Sequence, residues 1–174
     1  MLAICLAGLT SFAQTAVKEP EFADTFMALA GSGELVSLEH ATAAIHAGGG
    51  GFMVANSKAA YEIAGTKSPV RFHSTPELAF VVRSSLSQTD VDPATLYMLR
   101  RLDSKKKSRE LAFSTGRFTP LGGHATTNLN AGQVPLSFAR YGASSYRVVA
   151  TNLPPGEYAL SRMYGQDFYC FGID

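Results

Sequence analysis

Leu153-Pro-Pro-Gly-Glu-Tyr-Ala-Leu-Ser-Arg-Met-Tyr-Gly-Gln-Asp-Phe-Tyr-Cys-Phe-Gly-Ile-Asp174, the last stretch of the chain, decides how the rest is read. Pro155 pre-sets the backbone angle of one central turn position, and Gly156 supplies the positive φ that the next position of a type II turn requires. A strand follows, then a short turn, then a second strand that closes the chain. Phe168-Tyr-Cys-Phe-Gly-Ile173 left loose in water would be a heavy apolar exposure, so this last strand is expected inside a sheet.

Working outward, the composition is that of a globular domain: 174 residues, 46% hydrophobic and 17% charged, long enough to bury a core without staples. A formal charge of +1 gives no global field to attract nucleic acid, and no partner of that kind is expected. The first thirteen residues, Met1 to Ala13, carry no charge and close on small residues at Ser11 and Ala13. That is the form of a signal-peptide core with its cleavage site, too short to span a bilayer, and it predicts export with cleavage after Ala13. The missing basic residue ahead of the apolar run departs from that form. A lipid anchor at Cys5 is disfavoured by the bulky Ile4 before it, and a buried N-terminal strand is the remaining alternative. Cleavage leaves Cys170 as the one cysteine, read as a small core residue and not a nucleophile.

Residues 14–174 read as a single β-rich domain. Asp24 to Leu29 and Glu34 to Leu38 flank Ala30-Gly-Ser-Gly33, a hairpin signal. Residues 38–47 fit a helix through Leu38, Ala41, Thr42 and Ile45, or a strand through Val36, Leu38 and His40, and the strand is preferred. Gly48 to Gly51 are expected to form a loop on entropic grounds. A phosphate cradle there, or at Lys67-Ser68, lacks the required spacing. Tyr61 and Ile63 alternate before a turn at Gly65-Thr66-Lys67, and Pro69 to Phe72 continue. Leu78 to Arg83, apolar on both faces, is the choice for a central strand.

Residues 92–102 are again open. Asp92-Pro93 can cap a helix carrying Leu96, Leu99 and Leu102, or Thr95 to Leu102 and Arg109 to Phe113 can be two strands joined over Asp103 to Ser108; the hairpin fits slightly better. Arg100, Arg101, Lys105, Lys106, Lys107 and Arg109 gather there. They can be a solvated tip that keeps an edge soluble, the preferred reading, or a grip for an acidic partner or anionic polysaccharide. Residues 115–132, rich in Gly, Thr and Asn, are expected to be a long loop and the best place for a site. Val134 to Ala139 and Ser145 to Ala150 bracket Tyr141-Gly142 as a further hairpin.

The chemistry-bearing residues form no set. His40, His46, His73 and His124 are dispersed; on one strand His40 and His46 would stand about 20 Å apart at ~3.3 Å per residue, so no metal site and no cofactor are expected. No Gly-x-Ser-x-Gly elbow occurs, and Gly31-Ser32-Gly33 falls in a turn. Glu34, Glu39, Glu62 and Asp90 offer no spacing that selects a carboxylate pair. No catalytic residue is assigned, and no residue is singled out for ligand binding.

The pattern Pro154-Pro-Gly-Glu-Tyr-Ala159 with Phe168-Tyr-Cys-Phe-Gly-Ile-Asp174 resembles that of uncharacterised exported bacterial β-rich proteins. Leu35-Val-Ser-Leu-Glu39, Gly65-Thr-Lys-Ser-Pro-Val-Arg71 and Arg109-Glu-Leu111 are further landmarks of that likeness. It implies export and a structural use of the motifs, and it brings no activity with it.

The expectation is therefore a mostly β domain, an antiparallel sandwich or partly closed barrel of about nine to eleven short strands with little helix. Its expected role is that of an exported, non-enzymatic module in a cell-envelope or extracellular assembly (periplasmic, cell-surface or secreted), binding protein partners or itself. The alternatives are a carbohydrate-binding or surface-adhesion module, which needs an exposed row of Tyr or Phe, and a hydrolase, which needs a histidine gathered with a carboxylate or serine in a pocket.

Overall fold

The computed structural model describes residues 17–50, 55–86, 91–163 and 165–174. The leader and its cleavage site lie outside them, as do Cys5 and Asp90. The described strands are β1 (Phe26–Leu29), β2 (Leu35–Ser37), β3 (Glu39–Thr42), β4 (Ala44–Gly50), β5 (Ala55–Ala64), β6 (Arg71–Phe72), β7 (Glu77–Arg83), β8 (Tyr97–Ser104), β9 (Ser108–Thr119), β10 (Gly122–Thr127), β11 (Gln133–Val134), β12 (Ser137–Tyr141), β13 (Ser145–Thr151), β14 (Gly156–Arg162) and β15 (Asp167–Ile173). A single 3₁₀ turn, Pro93–Thr95, precedes β8, with the Asp92 side chain accepting from the Ala94 amide. Among the described residues no helix is long and apolar enough to cross a membrane.

Two sheets result. The smaller runs β12-β13-β7-β1-β2, and the larger runs β3-β15-β14-β8-β9-β5-β4, with β10 on β9, β11 on β8 and β6 on β15. The core between them follows the period-2 rule that alternate side chains share a face. Phe26, Phe80, Val82, Tyr146 and Val148 from the small sheet meet Tyr97, Leu99, Tyr158, Leu160, Phe171 and Ile173 from the large one. The β7 segment read as a central strand is central, between β13 and β1, with Phe80, Val81 and Val82 fully buried.

The large sheet also curls. Its first and last strands, β3 and β4, are two halves of one bent run joined at Ala43, whose amide donates to the Gln166 carbonyl at 2.8 Å. One half pairs with β15 and the other with β5, so the sheet wraps toward itself as a partly closed barrel beside the small sheet. The inward side carries a second cluster: Ala43, Ile63, Leu102, Leu111, Ala159, Phe168 and Cys170. Hence Glu157 to Ser161 are buried without interruption: Tyr158 and Leu160 face the sandwich core, whereas Ala159 belongs to the barrel cluster. Burial pushes the Cys170 thiol up to about 12, which keeps it protonated and inert at neutral pH.

The C-terminal strand is interior. β15 pairs with β14 on one side; on the other it pairs antiparallel with β3 and then parallel with β6. The Asp174 amide donates to the Phe72 carbonyl at 3.1 Å. Residues 38–47 are extended, with strands at 39–42 and 44–47, and 92–114 contain the hairpin arms, the cap at Asp92-Pro93 producing only one 3₁₀ turn.

Four expectations are corrected. Gly48 to Gly50 are not loop: they lie in β4 opposite Lys58, Ser57 and Asn56, and a Cβ on Gly49 would stand 2.7 Å from the Asn56 carbonyl oxygen. Cross-strand closeness, and not turn geometry, selects glycine at position 49. Residues 115–132 are mostly not loop, because β9 continues to Thr119 and β10 returns along it. Gly156 has a positive φ of 155°, far from the ~80° of a type II turn, and opens β14 directly. The strands number fifteen among the described residues and not nine to eleven, since several are only two or three residues long and the bent run counts twice.

Candidate interaction site

The landmark residues meet around one buried charge network. Arg109, wholly buried on β9, donates from Nη1 and Nη2 to the two carboxylate oxygens of Glu39, each at 2.7 Å. Its Nε and Nη2 also donate to the carbonyls of Gly65 and Ala64, at 3.1 and 3.0 Å. Glu157 lies 4.0 Å from Arg109, accepts from the Ser68 amide at 2.7 Å and from Arg71 Nη1 at 2.6 Å. Arg71 continues to Asp174, with Nη2 to Oδ1 at 2.6 Å. Asp174, Arg71, Glu157, Arg109 and Glu39 thus form a chain of alternating sign across β15, β6, β14, β9 and β3.

Burial pushes the Glu39 carboxyl up, but the paired bonds from Arg109 outweigh it and hold it below its ordinary value of 4.5. Arg71 is pushed further up by its bonds to Asp174 and Glu157. Fixed, mutually satisfied charges of this kind hold strands in register.

The basic cluster read as one solvated tip is divided by the pleat. Lys105, Lys106 and Lys107 are exposed as expected, and Arg101 is exposed with Nη2 donating to the Pro155 carbonyl at 3.0 Å. Arg100 and Arg109 are buried, the reverse of the expectation. Successive strand residues face opposite ways, so neighbours in sequence need not share a surface.

Among the described residues histidine and carboxylate meet at two places, both exposed. His40 Nε2 stands 3.4 Å from Asp167 Oδ1, and the His40 ring stacks on Tyr169 at 5.0 Å. The two residues line a depression of about 300 Å³ with Asp24 and Arg162. Both side chains are more than half exposed, and Asp167 also accepts from Thr42. His46 lies 3.9 Å from Glu62 on the outer wall. Among the described residues no three of His, Cys, Asp and Glu converge as a metal ion requires. None of the described tyrosines is exposed, and the described exposed phenylalanines, Phe22 and Phe118, stand on separate elements, so no aromatic row forms among the described residues.

The most exposed architecture is the outer half of β4, β5, β9 and β10. These strands pair in that order, β5 matching Ala55 to Phe118 and β10 matching Gly122 to Thr119. Every residue of β4 and of β10 is exposed. One face of this arm carries Ala47, Gly49, Ser57, Gly116, Ala125 and Thr127; the other carries Gly48, Lys58, Thr115, Arg117, His124 and Thr126. Phe118 lies across the glycines, so that a Cβ on Gly123 would collide with its ring and one on Gly116 would stand 3.0 Å from it. Leu121 at the turn is fully exposed.

Among the described residues β4 and β10 have a partner strand on one side only. Lysine, proline and bulges, the usual protections of an edge, are missing from both strands. Sequence reading took 115–132 as the best place to look for a site and as a loop; small residues exposed on both faces leave no apolar alternation to reveal a strand. No protein-family model matches the chain, and no curated protein or solved structure is found similar to it.

Proposed function

We propose that the protein is an exported, non-enzymatic interaction module whose four-stranded arm pairs with another protein chain in a cell-envelope or extracellular assembly. The observation that carries the reading is an arm with both faces in solvent and bare outer strands at β4 and β10. Unpaired backbone donors and acceptors along such an edge are a template for an added strand, with affinity from main-chain hydrogen bonds. Phe118, laid over the small residues of one face, offers an added chain an apolar contact. The apolar run Met1 to Ala13 supports export.

The test is the native size and company of the protein. Wild type taken from native extracts should run well above its 18.5 kDa and hold a stoichiometric partner or further copies of itself. Thr126→Lys and Ala47→Lys, which place a charge on each outer strand, should abolish that association while far-ultraviolet circular dichroism is unchanged. A strictly monomeric, partnerless wild type would count against the reading.

A further inference from the structure

Arg100 sits on β8 in the wall of the barrel, 3% exposed, and none of the described carboxylates is paired with it. Its guanidinium carbon lies 5.3 Å from the centre of the Phe168 ring and 5.7 Å from that of Tyr61, and Nη2 donates to Ser161 Oγ at 2.9 Å. Nε is buried and has no hydrogen-bond partner in the protein. Every other buried arginine or acid on the inward side belongs to the Arg109 network, so this cation stands apart in its lack of a counter-charge.

A guanidinium cannot shed its proton to escape burial, and two ring faces and a hydroxyl return only part of the lost hydration. A cavity of about 20 Å³ adjoins it, lined by Tyr61, Met98, Arg100, Leu129, Asn130 and Met163. That is room for one water or one monatomic ion.

The cavity exists because β8 and β9 pair only at Asp103–Glu110 and Ser104–Arg109 before diverging. The turn after β10 crosses the gap. Asn128 donates to the Phe113 carbonyl on β9 at 2.8 Å, and β11 sets Gln133 opposite Arg100 on β8.

We propose that this cavity is a halide site, with a single chloride-sized anion held by Arg100 Nε beneath the Leu129–Asn130 turn. The charge is of the right sign, the donor has no partner in the protein, and the volume fits a monatomic anion. The site is independent of the arm's proposed use. Its occupancy ties the turn after β10 to the barrel wall.

Thermal unfolding in sodium chloride and sodium bromide, against sodium gluconate at equal ionic strength, tests it, with Arg100→Met measured alongside. Wild type should gain about 3–5 °C in halide relative to gluconate once halide exceeds its dissociation constant roughly tenfold. Arg100→Met should show no such difference. Equal responses of the two proteins would overturn the site. Crystals of wild type soaked in bromide give a readout that needs no variant: an anomalous peak within hydrogen-bonding distance of Nε supports the proposal, and a water there refutes it.

Discussion

Arg109 and Glu39 show how much a pair of residues can decide. They are seventy positions apart, and the guanidinium is wholly enclosed. Removing one partner strands the other's charge, so Arg109→Met should cost about 3–5 kcal/mol in urea unfolding. The linkage has a definite sign. Since Glu39 titrates below 4.5 in the folded chain, its contribution is fully present above that value and is lost as pH falls through the lower, folded value. Glu19 behaves alike: burial raises its pKa, but bonds from the Ser145 hydroxyl and the Ala143 and Ser144 amides outweigh that and lower it. Stability measured from pH 7 downward should therefore be flat to about pH 5 and then decline, and Glu39→Gln should flatten the acid limb. Gly172 offers a second residue-scale test, because a Cβ there would run into the Arg71 guanidinium. Gly172→Ala should push Arg71 away from Glu157 and lower stability by about 1–3 kcal/mol.

Among the elements, β15 is the most demanding. Phe171 meets Phe72, Phe80 and Tyr158 at centroid distances of 5.8, 5.0 and 5.6 Å, linking both sheets. Phe171→Ala should cost about 3–5 kcal/mol. β14 and β15 were legible in the sequence because their apolar residues crowd into short runs bounded by Pro, Gly and Gln. The β9–β10 hairpin was not: its two-residue turn, Pro120-Leu121, is not of the primed kind that tight hairpins favour, since proline cannot take a positive φ. With both faces in water, Thr115, Gly116, Arg117 and their partners carry no alternation, and such a strand looks like loop. The arm should accordingly be the least stable element. Its amides should exchange with solvent faster than those of β14 by hydrogen-exchange mass spectrometry, and partner binding should slow them.

At the scale of the whole molecule, side-chain substitutions on the arm bury and expose almost nothing within the chain. Thr126→Lys and Ala47→Lys should then change the unfolding free energy by less than ~0.5 kcal/mol while altering assembly, which separates an interaction surface from a structural one. The sequence by itself determined that this is a β fold with its last strand buried: turn residues recur at short intervals, and an apolar strand has to find cover. The same sequence marked Glu39, Arg71, Arg109, Glu157 and Asp174 as landmarks without saying that they touch. Only the tertiary structure decided that the large sheet bends at Ala43, that Arg100 and Arg109 turn inward while Arg101 turns out, and that an arm stands clear of the barrel. The reason is that periodicity along a strand reports whether one of its faces is dry. Which strand lies opposite, and so which charge meets which, is fixed by pairings many residues apart that no local pattern records.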